Sequence, residues 1–318
     1  MTTSYLTQAA LGQADLLLRA RPLEVVLQDQ SVPAYVKSFL QEVPAMKEFA
    51  ISMGLTPTKS YTKYVAIDRK SVTWVVSACN ALAFEPKLYT FPFVGSVPYL
   101  GFFHEEDALS YFRKLSLDTS LDVSMRPVPA YSTLGWFSDP IVSSMIQGSD
   151  FATVLFHESL HATVYIKNQS LFNESLAEFV AGILTEKYII KKHGERSVAL
   201  DEYHARISKR AQATRFLYAS YQELEQIYRL QKDVLAQKEK ILQKIDVYFG
   251  FHGEKHLYNN ASLMQFVSYN SGEVVFEALF ARAHHELVPF LEMMRHVSFT
   301  RDQEKDLTYL VTGQPKNH

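Results

Sequence analysis

The stretch Phe156–Glu178, with the sequence FHESLHATVYIKNQSLFNESLAE, places two histidines, His157 and His161, four residues apart. Neither Gly nor Pro occurs over about residues 151–166, and apolar residues recur there at helical spacing, which predicts a helix. Two imidazoles one helical turn apart can bind one metal ion. The carboxylate of Glu158 between them can polarise a metal-bound water, which is the chemistry of a zinc hydrolase.

The ends of this helix and the start of the next one are predicted from capping residues. Ser149 or Asp150 is expected to cap the first helix, which should end near Gln169. Ser170 or Asn173 can cap the second helix. The connection is long enough for the chain to turn back, so the second helix can pack beside the first.

Glu174 in the second helix is predicted to be the third metal ligand, because catalytic zinc takes three protein ligands and keeps one position for water. Glu178 lies one turn later on the same helical face and can accept a hydrogen bond from the outer nitrogen of a liganding imidazole. The predicted site is therefore one zinc ion with three ligands and a supporting acid, in the order His157, His161, Glu174 and Glu178.

A purely structural alternative exists for each of these residues. An HExxH pentapeptide occurs by chance in on the order of a few per cent of chains of this size. The two histidines could lie on the surface of an amphipathic helix, Glu174 could be a first-turn acid favoured by the helix dipole, and Glu178 an ordinary surface acid. The apolar residues before the histidines and the NESLAE segment favour the metal site.

Several segments outside the histidine pair resemble a known family, the bacterial predicted aminopeptidases of the thermolysin-like class of HExxH zinc metallopeptidases (gluzincins). The resemblance spans roughly residues 5 to 295. It implies that two histidines and Glu174 bind the metal and that Glu158 is the catalytic base. The segments that carry it are ARPLEVVL near the start, FPFVGSVPYLGFF (Phe91–Phe103), VPAYSTLGWFSDP (Val128–Pro140), FNESLAEF (Phe172–Phe179) and YNNASLMQFVSY (Tyr258–Tyr269).

The resemblance also implies a strand that binds the substrate backbone. In thermolysin-like enzymes an edge strand before the zinc helix does so by strand addition, and residues 130–136 have the corresponding position here. Tyr131, Ser132 and Gly135 are therefore the expected substrate-binding residues. The alternative is that the aromatic side chains of this segment fill the core.

The tetrahedral oxyanion of peptide hydrolysis needs a hydrogen-bond donor besides the metal. Tyr269 is the first candidate, because it lies in a segment that resembles the family. The other candidates are Tyr258, His256 and Tyr131. Each tyrosine could instead be an ordinary packing residue, and His256 could be a surface residue.

These residues predict peptide-bond hydrolysis by a zinc-activated water, and the resemblance implies an aminopeptidase acting on peptides. No residue of the sequence is nominated to bind the free α-ammonium group of a substrate. An endopeptidase or amidase on the same scaffold is therefore one alternative. A non-catalytic zinc-stabilised protein that binds partners through a 195–248 hairpin is another.

Composition and charge exclude several classes of protein. The 318 residues carry a net charge of −2, with 47% hydrophobic and 21% charged residues, which gives no case for nucleic acid as a partner. No apolar run of about eighteen residues occurs, so no transmembrane segment is predicted. Cys79 is the only cysteine and is expected to be a buried, inert thiol. The sequence as written predicts a cytoplasmic protein, and an exported lipoprotein would require a start further upstream.

The remaining sequence predicts an α+β fold that is mostly helical, with a small mixed or antiparallel sheet beside a zincin-type helix pair. The absence of Gly and Pro between Gly194 and Gly250 predicts a long helical hairpin in the C-terminal half. We expect one metallopeptidase domain over residues 1–318, with helices and sheet in 1–140 and the metal site in 141–318. Helices are expected over residues 3–20, 33–53, 105–115 and about 259–296, and strands within 64–67, 72–79 and 88–93.

Overall fold

The computed structural model of the chain describes residues 3–91, 95–128, 138–146, 151–166, 169–268 and 273–297. These residues form a mostly helical α+β fold with small sheets, as the sequence predicts. The helices are α1 (Thr3–Arg19), α2 (Leu23–Gln28), α3 (Ala34–Ser52), α4 (Glu105–Leu115), α5 (Ser143–Ile146), α6 (Phe151–His161), α7 (Ser170–His193), α8 (Val198–Leu230), α9 (Val234–Phe249), α10 (Asn260–Ser268), α11 (Glu273–Arg282) and α12 (Leu287–Arg295). The strands are β1 (Arg21–Pro22), β2 (Lys63–Val65), β3 (Thr73–Asn80), β4 (Tyr89–Phe91), β5 (Gly95–Val97), β6 (Tyr99–Phe102), β7 (Leu121–Val128) and β8 (Ile141–Val142). Within these ranges, no helix is both long enough and apolar enough to cross a membrane.

The described strands form two three-stranded sheets and a hairpin rather than one small sheet. An antiparallel sheet has the order β6-β3-β7, and every residue of its middle strand β3 except Asn80 is buried. Helices α4 and α10 both pack on β3 and β7, which accounts for this burial. A mixed sheet has the order β1-β2-β8, with β2 antiparallel to β1 and parallel to β8, and β4 pairs with β5.

Cys79 lies near the end of β3 as a buried thiol. Its side chain is fully enclosed, and its sulfur donates to the carbonyl oxygen of Ala83 at 3.4 Å. Burial raises the pKa of this thiol to about 12, so it keeps its proton at neutral pH. The prediction of a buried thiol at Cys79 is confirmed.

Helices α3 and α4 begin and end close to their predicted positions, because local residues define their ends. Helix α3 follows Pro33 and stops before Gly54, whose φ of +96° lies in the region that favours glycine. Helix α4 carries acids in its first turn and bases in its last turn, as the helix dipole favours. These residues are Glu105, Glu106, Asp107, Arg113 and Lys114.

Helices α8 and α9 form the predicted hairpin. The ring of Phe216 stacks on that of Tyr248 with centroids 3.9 Å apart, and Lys244 pairs with Glu223 at 3.1 Å, so the two helices run antiparallel. The short connection turns through Gln231, which has a left-handed φ of 53°. Buried apolar side chains hold the hairpin together and attach it to α10; they include Leu217, Leu224, Ile241, Ile245 and Leu263.

Helices α6 and α7 lie side by side in the largest apolar core. The hydroxyl oxygens of Thr153 and Thr185 are 2.9 Å apart, and His157 approaches Glu174, so the helices run antiparallel. Helix α3 packs on α6, and α11 packs on α7, through aromatic contacts. Each aromatic pair stabilises the fold by about 0.5–1.5 kcal/mol in addition to the stabilisation that comes from burying apolar surface. These contacts are Phe49–Phe156 and Phe172–Phe276, with ring centroids 5.8 and 5.4 Å apart. The core therefore fixes the two helices that carry the predicted ligands.

Candidate metal centre

Helix α6 ends at His161 and not near Gln169, so the predicted C-terminal end of this helix is wrong. The N–H groups of Thr163 and Val164 both donate to the carbonyl oxygen of Leu160, at 2.7 and 2.8 Å, which closes the last turn. β-Branched residues at these positions add little to helix stability. His161 is consequently the last residue of α6.

The connection to α7 is held by the side chain of Asn173. Gln169 is the N-cap of α7, so the predicted caps Ser170 and Asn173 are wrong and both residues lie inside the helix. The Oδ1 of Asn173 accepts from the N–H of Ile166 at 2.9 Å, and its Nδ2 donates to the carbonyl oxygen of Ile166 at 2.8 Å. Asn173 is buried and adjoins Glu174. These two hydrogen bonds therefore determine where Glu174 lies relative to α6.

His157, His161 and Glu174 converge on one point. The Nε2 of His157 lies 3.2 Å from Oε2 of Glu174 and 3.2 Å from Nε2 of His161. The Nε2 of His161 lies 3.5 Å from Oε1 of Glu174. Ligand atoms about 2.0–2.1 Å from a tetrahedral zinc ion are about 3.3 Å apart, so these separations fit one such ion. The side chain of His161 is 1% exposed and that of Glu174 is 32% exposed, which leaves one side of the group accessible.

The three side chains have shifted pKa values, because they are packed together with little water. Burial alone would lower the pKa of His157, but the contacts of its ring with Glu174 and Glu178 raise that pKa to about 10. Burial lowers the pKa of His161 to about 4. Burial would raise the pKa of Glu174, but the hydrogen bond from His157 lowers it below its ordinary value. A proton on His157 thus balances the ionised acids, and a divalent cation could take its place.

Glu178 lies beside His157, where a supporting acid is predicted. Its Oε2 is 3.7 Å from Nδ1 of His157, and its Oε1 is 2.7 Å from Nη2 of Arg210 in α8. The contact with His157 and the charge of Arg210 lower the pKa of Glu178, so the carboxylate is ionised at neutral pH. No local pattern in the sequence marks Arg210, because it belongs to a different helix. The Nδ1 of His161 is buried and has no hydrogen-bond partner within the described part of the chain.

Glu158, the predicted base, follows His157 in α6 and is half-buried. Its negative charge is one cause, after burial, of the raised pKa of Tyr61. Tyr61 is 1% exposed, so a buried phenol lies near the predicted base. Sequence reasoning does not single out Tyr61, since the chain has 18 tyrosines and no motif distinguishes this one.

Two of the predicted oxyanion donors, His256 and Tyr258, are placed away from the triad. The ring nitrogens of His256 contact Asp246 at 2.6 Å and Glu239 at 3.0 Å, both in α9. His256 and Tyr258 line a cavity of about 510 Å³ beside β7 and α9, and none of the three candidate ligands lines it. The other predictions, which lie outside the described residues, concern Tyr269, Tyr131, Ser132, Gly135, the strand over 130–136 and the caps Ser149 and Asp150.

Comparison with known sequences identifies one family. Its sequence profile matches residues 4–308 of the 318-residue chain, which includes the three candidate ligands and Glu158. No curated protein and no solved structure matches the chain. Because the match covers nearly the whole chain, the chain belongs to the family described as "Putative aminopeptidase".

Proposed function

We propose that the chain is a zinc-dependent aminopeptidase of the thermolysin-like (gluzincin) class, with α6 and α7 as its zinc-binding helix pair. The observation that carries this proposal is the convergence of His157, His161 and Glu174, whose ligand atoms all lie within 4.8 Å of one another. Two imidazoles and one carboxylate, with the fourth position left for water, are a ligand set of hydrolytic zinc sites. Glu178 would orient the ring of His157.

The chemistry assigned to the chain is hydrolysis of a peptide bond. A zinc ion held by the triad would lower the pKa of a bound water and polarise the scissile carbonyl. Glu158 accepts a proton from the attacking water and returns it to the leaving amine. The half-buried position of Glu158 in α6, next to His157, supports this role.

The remaining assignments follow from the resemblance and from membership of the family. Tyr269 is proposed to donate to the oxyanion, and Tyr131, Ser132 and Gly135 to bind the peptide substrate. We also propose one metallopeptidase domain over residues 1–318, because the family match extends over residues 4–308.

The proposal is tested with the purified full-length chain. The measurements are bound zinc per chain and hydrolysis of aminoacyl anilides by the wild type and by Glu158→Gln. We expect one zinc ion per chain in both proteins, and a fall in kcat of about 10²–10⁴-fold in the variant, because a general base contributes that much. Glu186→Gln is the matched control, since Glu186 is an exposed acid of α7 that contacts His204 and not the triad. It should keep both zinc and turnover.

Each alternative gives a different result. Full turnover in Glu158→Gln would remove Glu158 as the base. Cleavage of N-acetylated peptides as fast as free peptides would make the protein an endopeptidase or amidase. Bound zinc without hydrolysis of any peptide would favour a zinc-stabilised binding protein.

A further inference from the structure

Tyr61 has a strained backbone inside the protein core. Its φ is 62°, in the left-handed region that non-glycine residues rarely adopt. Four other described non-glycine residues have positive φ, and all four lie in exposed turns, at Gln231, Asp233, His284 and His285. Tyr61, by contrast, is 1% exposed. Buried strain of this kind persists where the surrounding structure enforces it, and it concentrates at functional sites.

The segment around Tyr61 is held from several directions. The N–H of Tyr61 donates to the carbonyl oxygen of Asp139 at 2.7 Å, and the N–H of Asp139 donates to Oγ of Ser60 at 3.2 Å. The Nζ of Lys47 donates to the carbonyl oxygens of Thr58 and Ser60, at 2.9 and 2.5 Å. The backbone conformation of Tyr61 is therefore imposed by α3 and by the segment that leads into β8.

The ring of Tyr61 lies against the helix that carries the predicted base. It contacts the ring of Phe151 edge-on, with centroids 5.7 Å apart. Phe151 is the first residue of α6, and Glu158 lies seven residues later, about two turns along the same face. Tyr61 therefore packs on the face of α6 that also carries Glu158, about two turns before Glu158. Burial raises the pKa of Tyr61, and the negative charges of Glu158 and Asp139 raise this pKa further.

The hydroxyl of Tyr61 is unexplained by packing. It is buried and has no hydrogen-bond partner among the described residues. A buried polar atom without a partner costs free energy, and phenylalanine would fill the same space without that cost. Since burial and the nearby acids keep the phenol protonated, it can act only as a neutral donor toward a carboxylate.

We propose that the hydroxyl of Tyr61 is a positioning donor for the Glu158 carboxylate, directly or through one water, when the triad holds zinc and substrate water is present. This inference rests on the proposed function, because it assumes that Glu158 is the base. Tyr61 does not touch the reacting atoms. It limits the orientations of the carboxylate to those that face the attacking water.

Two measurements on the full chain test the role of Tyr61. The first is a crystal structure of the zinc-loaded wild type, in which Tyr61 Oη should lie within hydrogen-bond distance of a Glu158 oxygen or of one water that bridges them. The second compares Tyr61→Phe with Tyr188→Phe. Tyr188 is the matched control, because it is also a buried tyrosine whose ring packs on α6, at Phe156, with centroids 6.0 Å apart.

Tyr61→Phe should lower kcat about tenfold with KM and zinc affinity within about twofold of the wild type, since one hydrogen bond to a charged group is lost. The midpoint of thermal unfolding of the zinc-free variant should be unchanged or higher, because an unsatisfied hydroxyl is removed. Tyr188→Phe should keep kcat. A loss of kcat without a loss of stability is the readout that a purely structural tyrosine would not give.

Two results would overturn the role of Tyr61. One is a wild-type kcat in Tyr61→Phe, and the other is a Tyr61 hydroxyl bonded to neither Glu158 nor a bridging water in the zinc-loaded structure. A wild type that binds zinc but cleaves no peptide would contradict the proposed function and leave the role of Tyr61 open to its own test. The zinc-loaded structure would then show whether the Tyr61 hydroxyl is hydrogen-bonded to Glu158. A chain that binds no zinc would overturn both.

Discussion

The Oε1 of Glu178 lies 2.7 Å from Nη2 of Arg210, so the long helix α8 holds the carboxylate that faces the ring of His157. The ion pair leaves the second oxygen of Glu178 directed at Nδ1 of His157, at 3.7 Å. Acids in this position set the orientation and basicity of a liganding imidazole. Arg210 thus supports the candidate metal centre without contacting any of the three candidate ligands.

The first prediction concerns Arg210→Ala. Without its partner, the Glu178 carboxylate becomes free to rotate away from His157, so zinc affinity should fall about tenfold. This is the lower end of the roughly 10–100-fold losses that follow mutation of residues hydrogen-bonded to metal ligands. The affinity is measured by competition with a chelator of known zinc affinity. Glu178→Gln should lower it at least as much.

The matched control for Arg210 is His204→Ala. His204 pairs with Glu186 at 2.9 Å, and this pair also joins α7 to α8, further from the triad. The variant His204→Ala should keep wild-type zinc affinity. Equal affinity losses in the two variants would mean that general packing of α8, rather than Arg210, affects the site.

The second prediction is that zinc binding releases about one proton per chain at pH 7. The pKa of His157 is raised from 6.5 to about 10 without metal, so its ring carries a proton at neutral pH, whereas a ligand imidazole must be neutral. The proton count follows from calorimetric titration in buffers with different ionisation enthalpies. Zinc affinity should rise with pH and level off above about 10, where His157 is already neutral.

The same pKa has a consequence for the stability of the zinc-free protein. The pKa of His157 is higher in the folded protein than its unfolded value of 6.5, so protonation of His157 stabilises the fold. This stabilisation is fully present below pH 6.5. This contribution is lost as the pH rises towards about 10.

In the calorimetric titration, binding enthalpies that do not depend on the buffer would show that His157 is neutral before zinc binds.

Much of the scaffold of the site could be predicted because its signals are local. Proline, glycine and charge patterns define the ends of α3 and α4, and a stretch without Gly or Pro predicts the α8–α9 hairpin. The proximity of His157 and His161 follows from helical periodicity alone. The return of the chain that brings Glu174 to them follows from the length of the connection and not from the capping residues, because the predicted caps Ser170 and Asn173 are wrong.

The features that could not be predicted depend on contacts between distant residues. Helix α6 stops at His161 although the residues after it contain no Gly or Pro, and beyond this end Asn173 of the next helix binds the backbone of Ile166. Arg210 pairs with Glu178 and Tyr61 packs on Phe151, both from other elements, and neither belongs to a motif. Three of the described strands, β2, β3 and β4, could be located individually, but the separation of the strands into sheets depends on which helices cover them.

The third prediction is that Asn173→Ala destabilises the fold by about 2–3 kcal/mol, because it leaves the N–H and the carbonyl of Ile166 without their partner. Zinc affinity should fall as well, since Glu174 is the next residue in the chain. Chemical denaturation gives the free energy of unfolding.

Asn80→Ala is the control for Asn173→Ala. The Oδ1 of Asn80 accepts one exposed hydrogen bond, from the N–H of Leu82 at 2.9 Å, so this substitution should destabilise the fold by less than about 1 kcal/mol. Equal losses in the two variants would contradict the role given to Asn173.

The fourth prediction separates fold stability from the metal centre. Lys238 of α9 is 9% exposed and donates to Asp122 at 2.6 Å and to the carbonyl oxygen of Ala81 at 2.8 Å, which joins the hairpin to the antiparallel sheet. Lys238→Ala leaves the charge of Asp122 without its ion-pair partner in a largely buried position, so unfolding free energy should fall by about 3–5 kcal/mol. Lys244→Ala, which removes an exposed pair with Glu223 from the same helix, should cost about 0.2–1 kcal/mol.

Folded Lys238→Ala should bind zinc with wild-type affinity, because neither Lys238 nor Asp122 contacts His157, His161 or Glu174. Denaturation of the zinc-free protein and chelator competition on the folded protein measure the two quantities separately. A loss of zinc affinity in Lys238→Ala beyond that in Lys244→Ala would show that the sheet and the hairpin are coupled to the metal centre. Such coupling would have to pass from α8 to α7 through the ion pair of Arg210 with Glu178. The double variant Lys238→Ala and Arg210→Ala should then bind zinc no more weakly than Arg210→Ala alone.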